Sequence, residues 1–323
     1  MPMDKQPLRG LIPLIFVIIG SLLFIVIGEQ VFKVNPGMLA VYALFFVWTA
    51  FVISLMDRWP VQKRKQPVVG FIFLTAALII GILHPVIIDT LGFGAAYYWP
   101  LISNLFLGIG IVIAFGNQIV AGLKQPKAFA LNSLFMYVAA IVLLLAFDFV
   151  PAIWFAFFVF VFFWMETWPV ANAKQPSKGI ILFVIMGFFS LILEYLFEQV
   201  GTSFFQPDAG LWFVIWVWWL VTTSWTLETW PFKNMAQPGK AVAGLITTVV
   251  LTFVTYFVVL DVLNVGLAVA GSYVWIFVSW LYTWDIVFGK WPTERPAPAS
   301  AETPKPAKGS EIGGKTAGGG VSP

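Results

Sequence analysis

The run LIPLIFVIIGSLLFIVIG, beginning at Leu11, contains eighteen residues and no charge. At 1.5 Å per residue it reaches about 27 Å as a helix, close to the roughly 30 Å hydrocarbon core of a bilayer. Several later runs match it in length and character. No other feature constrains the fold as strongly. Within lipid each backbone N–H and C=O must be satisfied inside the segment, so runs of this kind are helices. An all-α, polytopic membrane fold is therefore expected. Composition agrees: 60% of the 323 residues are hydrophobic and only 10% are charged, whereas a soluble domain carries about 25% charge.

The polar punctuation between the runs repeats. Gln-Pro occurs at Gln6, Gln66, Gln125, Gln175 and Gln237. Trp-Pro occurs at Trp59, Trp168, Trp230 and Trp291, and in the first three cases Gln-Pro follows seven residues later. The register calls for another Trp near position 118, where the chain reads GNQIVAGLKQP instead. These marks divide the chain into units of about 6–65, 66–124, 125–174, 175–236 and 237–292, a period that calls for a supersecondary building block. From each Gln-Pro an apolar run continues to an acid, Glu29, Asp89, Asp148, Glu198 or Asp261; a turn follows, and a second run returns to the Trp-Pro edge. The expectation is five parallel-repeat helical hairpins, ten transmembrane helices in all, arranged in an arc or pseudo-symmetric ring. From 293 to 323, Pro, Ala, Gly and Lys dominate, which predicts a disordered cytoplasmic tail.

Charge sets the expected orientation. Of eighteen Lys and Arg residues, only Lys33 falls on the far side of this layout. By the positive-inside rule the Gln-Pro edge and both termini are cytoplasmic, in the cell membrane. Lys5 and Arg9 precede the first apolar run, as in a secretion signal, but GEQVFKVNPG offers no convincing cleavage site. That run is expected to stay as the first helix. The basic residues gather at the ends of spans, so the bilayer, not nucleic acid, is the expected partner.

Chemistry-bearing residues are few. Cysteine is absent and His84 is the single histidine, so no metal site or cofactor is expected. No phosphate loop or nucleophile motif is present, and an enzyme is not expected. The acids before Trp-Pro, Asp57 with Trp59, Glu166 with Trp168 and Glu228 with Trp230, are expected to be structural. A carboxylate at a helix C-terminus opposes the helix dipole and calls for a partner such as Lys174 or Lys233. Glu194 and Asp285 lie inside spans, where carboxylates are costly and point to function. The second unit departs most from the pattern: it holds GILHPVII, and SNLFLGIGIVIAFGNQ with Gly108, Gly110 and Gly116. Gly- and Pro-interrupted membrane helices frame binding sites or pack closely. His84, Asn104, Asn117, Gln118, Glu194 and Asp285 are the candidate substrate-binding residues. Aromatic pairs three residues apart, Phe45 with Trp48 and Trp216 with Trp219, read as a packing seam or a lipid-facing stripe.

Two functions fit these residues. The first is a permease for a small solute or ion. The second is a cofactor-free scaffold or anchor subunit, with a membrane-protein partner or a second copy of the chain. A hydrated mid-membrane cavity at His84, Asn104 or Asp285 would favour the first, and a dry, filled interior the second.

Overall fold

The structure is a computed structural model describing residues 8–55, 61, 64–116, 120, 122–147, 152–204 and 209–290; side chains at 55, 146–147, 152–155, 194, 196–204 and 209 fall outside the description. The tail at 293–323 lies outside the described residues, as do Asp57, Trp59, Asn117 and Gln118.

Among the described residues there are ten α-helices and no strands: α1 Leu8–Val26, α2 Pro36–Leu55, α3 Val68–Thr90, α4 Tyr98–Ala114, α5 Lys127–Phe147, α6 Ala152–Val159, α7 Ser177–Phe204, α8 Ala209–Val221, α9 Gly239–Phe257 and α10 Leu267–Tyr282. Five of them end in a single π-helical turn, for example Phe160–Trp164 after α6 and Thr283–Val287 after α10. Seven helical segments are long and apolar enough to cross a membrane: α1 to α5, α9 and α10 with their adjoining turns. α6, α7 and α8 fall outside that set and border segments beyond the described residues. The chain thus has the make-up of a multi-pass, all-helical membrane protein.

The even-numbered helices form the inner layer. Contacts run from α2 to α4, α6, α8 and α10 and back to α2, which closes a ring. α2 is buried on nearly every side, from Leu39 to Ile53. Large apolar side chains fill the interior: Phe45, Ile102, Leu105, Trp164, Trp216, Leu220 and Tyr282 are all fully buried in one continuous cluster. The odd-numbered helices lie outside and present Leu, Ile, Val and Phe outward, as at Ile15, Leu83, Leu134, Val184 and Val254. Lipid is as apolar as these side chains, so helix association here depends on close van der Waals fit and hydrogen bonds. Glycines provide that fit. A Cβ on Gly81 would stand 2.8 Å from the Phe46 backbone nitrogen, and one on Gly244 would stand 2.0 Å from the Trp164 ring.

The pairing of helices departs from the hairpin expectation. The two helices of one unit are not each other's main partners. Each outer helix packs on the inner helix just before it in sequence, α3 on α2, α5 on α4, α7 on α6 and α9 on α8, while α1 packs on α10. The short Gln-Pro linker imposes this, because it turns the chain directly from the inner layer to the outer one.

A second contact follows a skip rule carried by the Gln-Pro glutamines. Gln175 Oε1 accepts from the Gly179 N–H at the start of α7, and its Nε2 donates to Ala114 O at the end of α4, 2.8 Å away. Gln66 does the same with the Gly70 N–H and, at 3.1 Å, Val287 O beyond α10. Gln237 donates to Trp164 O at 2.7 Å, and Gln125 accepts from the Phe129 N–H. At Gln66 and Gln175 one side chain thereby satisfies a free donor at its own helix start and a free acceptor at another helix's end. In each pair that joins two units, the glutamine's unit is two places after the carbonyl's, counting round from the fifth to the second. Gln175→Ala removes both bonds from a half-buried site. It should lower stability by about 2 kcal/mol, at about 1 kcal/mol per bond, measured by thermal melting of the detergent-solubilised chain. Unchanged melting would mean the latch contributes nothing.

Candidate functional site

The acids of the Trp-Pro edge stand where inner helices end. Glu166 and Glu228 have left-handed backbones, φ 51° in both, followed by Thr167 and Thr229 at φ 62° and 60°. Thr167 N–H bonds back to Val161 O and Thr229 N–H to Thr223 O, closing each helix with a seven-residue loop. The equivalent positions after α4 and α10 hold Gly116 and Gly289, at φ 58° and 55°. Glycine suits this conformation better than any other residue. Glutamate there is retained at a conformational cost, so its charge has a use.

That use is pairing across the skip. Glu166 Oε1 meets Lys240 Nζ at 2.5 Å, and Glu228 meets Arg9 at 3.3 Å as well as its loop neighbour Lys233 at 2.5 Å. Lys233 is the expected loop partner; Lys174 is not the partner of Glu166. Arg9 and Lys240 each lie three residues after their Gln. The same place in the second unit is Val69, and the helix end it would face carries Gly289. Charge is absent there from both sides. The hydrogen bond from Lys233, then the nearby Arg9 and Lys233 charges, hold the Glu228 carboxyl below the usual carboxylate range despite partial burial. Trp168 and Trp230 are exposed at this edge, 39% and 43%.

The remaining candidates do not come together. Asp285 sits in the π-turn after α10, 4.0 Å from Lys290. Glu194 lies along α7. Asn104 is fully buried on α4, and among the described residues neither its amide nitrogen nor its amide oxygen has a hydrogen-bond partner. A buried amide in that state is rare and costly. Gly108, one turn on, lets Met136 of α5 come against the α4 backbone.

His84 is buried in α3, just before Pro85. Its Nδ1 lies 2.7 Å from Ile80 O, and its Nε2 hydrogen-bonds the Tyr137 hydroxyl of α5. The imidazole stacks on Phe45, centroids 4.7 Å apart, and Trp48 meets both His84 and Tyr137 edge-on. Tyr137 escaped the sequence reading. It is a single polar atom in an apolar run, and its partner is 53 residues away.

Two large cavities open at the outer layer, one of them beside His84 and Tyr137. One, about 470 Å³, lies between α3 and α5 and is lined by Leu83, His84, Ile87, Tyr97, Tyr137 and Leu145 among others. The other, also about 470 Å³, lies between α7 and α9 and is lined by apolar groups that include Met165, Trp168, Trp212 and Val249. Leu83, Ile87 and Leu145 are exposed, so the first opens sideways, toward lipid in a membrane. No group of three or more metal-ligating side chains occurs among the described residues. No family model, curated protein or solved structure matches this chain.

Proposed function

We propose that the protein is a membrane scaffold or anchor subunit in which all ten helices cross the bilayer, with the Gln-Pro edge and both termini in the cytoplasm. The observation that carries this reading is the closed inner ring filled by Phe45, Trp216, Tyr282 and their neighbours. Side chains this large, interlocked about a common interior, make a rigid body. Two cavities of about 470 Å³ open on its flanks. The body thus offers apolar clefts to other membrane components. The partner on this reading is another membrane protein or a second copy of the chain.

A permease remains the second reading, and Asn104 favours it. A fully buried amide with both polar atoms unpartnered is a place where a solute or water could bind.

The two readings separate in proteoliposomes. The scaffold reading expects sodium, potassium, chloride and proton fluxes no greater than those of empty vesicles. It also expects a partner of fixed stoichiometry after mild extraction. Flux that Asn104→Ala abolishes would overturn it and establish the second reading.

A further inference from the structure

Hydrogen-bond roles at the base of the α3/α5 groove define what that groove can hold. Ile80 O can only accept, so His84 Nδ1 carries the hydrogen and donates. In a neutral imidazole the other nitrogen is then an acceptor, so Tyr137 donates its one hydroxyl hydrogen to Nε2. The Tyr137 oxygen keeps lone pairs and has no hydrogen to spare. A molecule that hydrogen-bonds here without breaking the dyad must bring its own O–H or N–H.

Position and shape narrow the class further. Tyr137 is ten residues into α5, about 15 Å along that helix. That is near the middle of a hydrocarbon core about 30 Å thick. A phosphate-bearing headgroup cannot be placed there without a large desolvation penalty. A lone hydroxyl can. Phe45 stacks on His84, centroids 4.7 Å apart and planes 15° apart, and the Tyr137 ring lies beside the imidazole across their hydrogen bond, with its plane tilted by 11°. Tyr137 belongs to α5 and its ring lines the groove, as do the rings of Phe93 and Tyr97, which meet edge-on with centroids 5.5 Å apart. The remaining lining is aliphatic. About 470 Å³ falls within the range of a small-molecule site.

We propose that the α3/α5 groove binds one molecule of a tailed aromatic alcohol, of the quinol class, whose ring hydroxyl donates to Tyr137 while its alkyl or isoprenoid tail lies against Leu83, Ile87 and Leu145. His84 acts as a positioning residue, fixing the direction of the Tyr137 hydroxyl. The groove between α7 and α9 matches in size but turns no polar surface inward, the indole N–H groups of its tryptophans included, so it does not select a hydroxyl head. The proposal concerns binding alone and stands apart from the scaffold reading; vesicle flux tests one and equilibrium binding the other.

The test uses the full chain in phosphatidylcholine nanodiscs with radiolabelled decylhydroquinone as probe. One saturable site per chain is expected. The dimethyl ether of the probe, with no O–H to donate, should bind about tenfold more weakly, as should the probe to Tyr137→Phe. Leu83→Trp, which fills the groove from an exposed helix face, should remove the site without disturbing the inner ring. Absence of saturable binding would overturn the proposal, and so would an ether or Tyr137→Phe that binds as tightly. Equal competition by dodecanol would refute an aromatic head. A phospholipid that co-purifies in the groove and resists displacement would assign the cleft to bulk lipid instead.

Discussion

Replacing Gly81 with leucine should destabilise the protein by about 3 kcal/mol, near the upper end for overpacking a well-filled interior. A side chain here would meet Phe46 N at 2.8 Å and Phe46 Cα at 2.9 Å. Both are backbone atoms of α2, which cannot swing aside as a rotamer can. The α3 helix must then move away from α2 along the most extensive helix contact among the described residues. That move would also pull His84 from Phe45. Ile82→Ala, next in sequence on the exposed face, should change stability by only a few tenths of a kcal/mol, because lipid replaces what the side chain touched. Thermal melting of the three proteins in detergent decides the matter. Gly81→Leu melting with the wild type would mean α2 and α3 are not packed as described.

Glu166→Gln should cost about 2 kcal/mol. Lys240 is 4% exposed, and its ammonium has Glu166 as a carboxylate partner. Breaking a fully buried pair costs about 3–5 kcal/mol. The Glu166 side chain is 58% exposed and screened by solvent, which brings the figure down. The sharper expectation is the rescue. Glu166→Gln combined with Lys240→Met removes both charges and should recover most of the loss, since the penalty lies in a buried cation without its counter-charge. If the double variant is as unstable as the sum of its parts, the two residues are not coupled.

These two expectations rest on contacts of different legibility. The membrane character, the helices and the Gln-Pro punctuation could be read directly, because lipid imposes a length and a composition on every span. Which helices are inner and which outer was not legible, because the aromatic residues of the second helices fit a packing seam and a lipid-facing stripe equally well. α2, α5, α6 and α8 carry no strong apolar stripe, since in lipid an outward leucine is as well solvated as an inward one. The Glu228–Lys233 pair was visible five residues apart. Glu166–Lys240 was not, since a span of 74 residues separates its ends and nothing local names the partner. The packing partners were hidden for a related reason. The two helices of a unit follow one another in sequence without packing chiefly on each other, because the turn between them joins the outer layer to the inner one. For the candidate site, His84 and Asn104 could be found as polar residues in apolar runs; Tyr137 could not, because tyrosine is also an ordinary packing residue.

The order in which the glutamines reach across the molecule bears on how it is made. A polypeptide threaded into the bilayer from its first helix presents Gln66 long before Val287 exists, and α1 long before α10. The earlier helices must therefore wait, incompletely joined, until α10 is made. That helix then closes against α1 and brings Val287 to the second unit's glutamine at once, so it acts as the keystone of the ring.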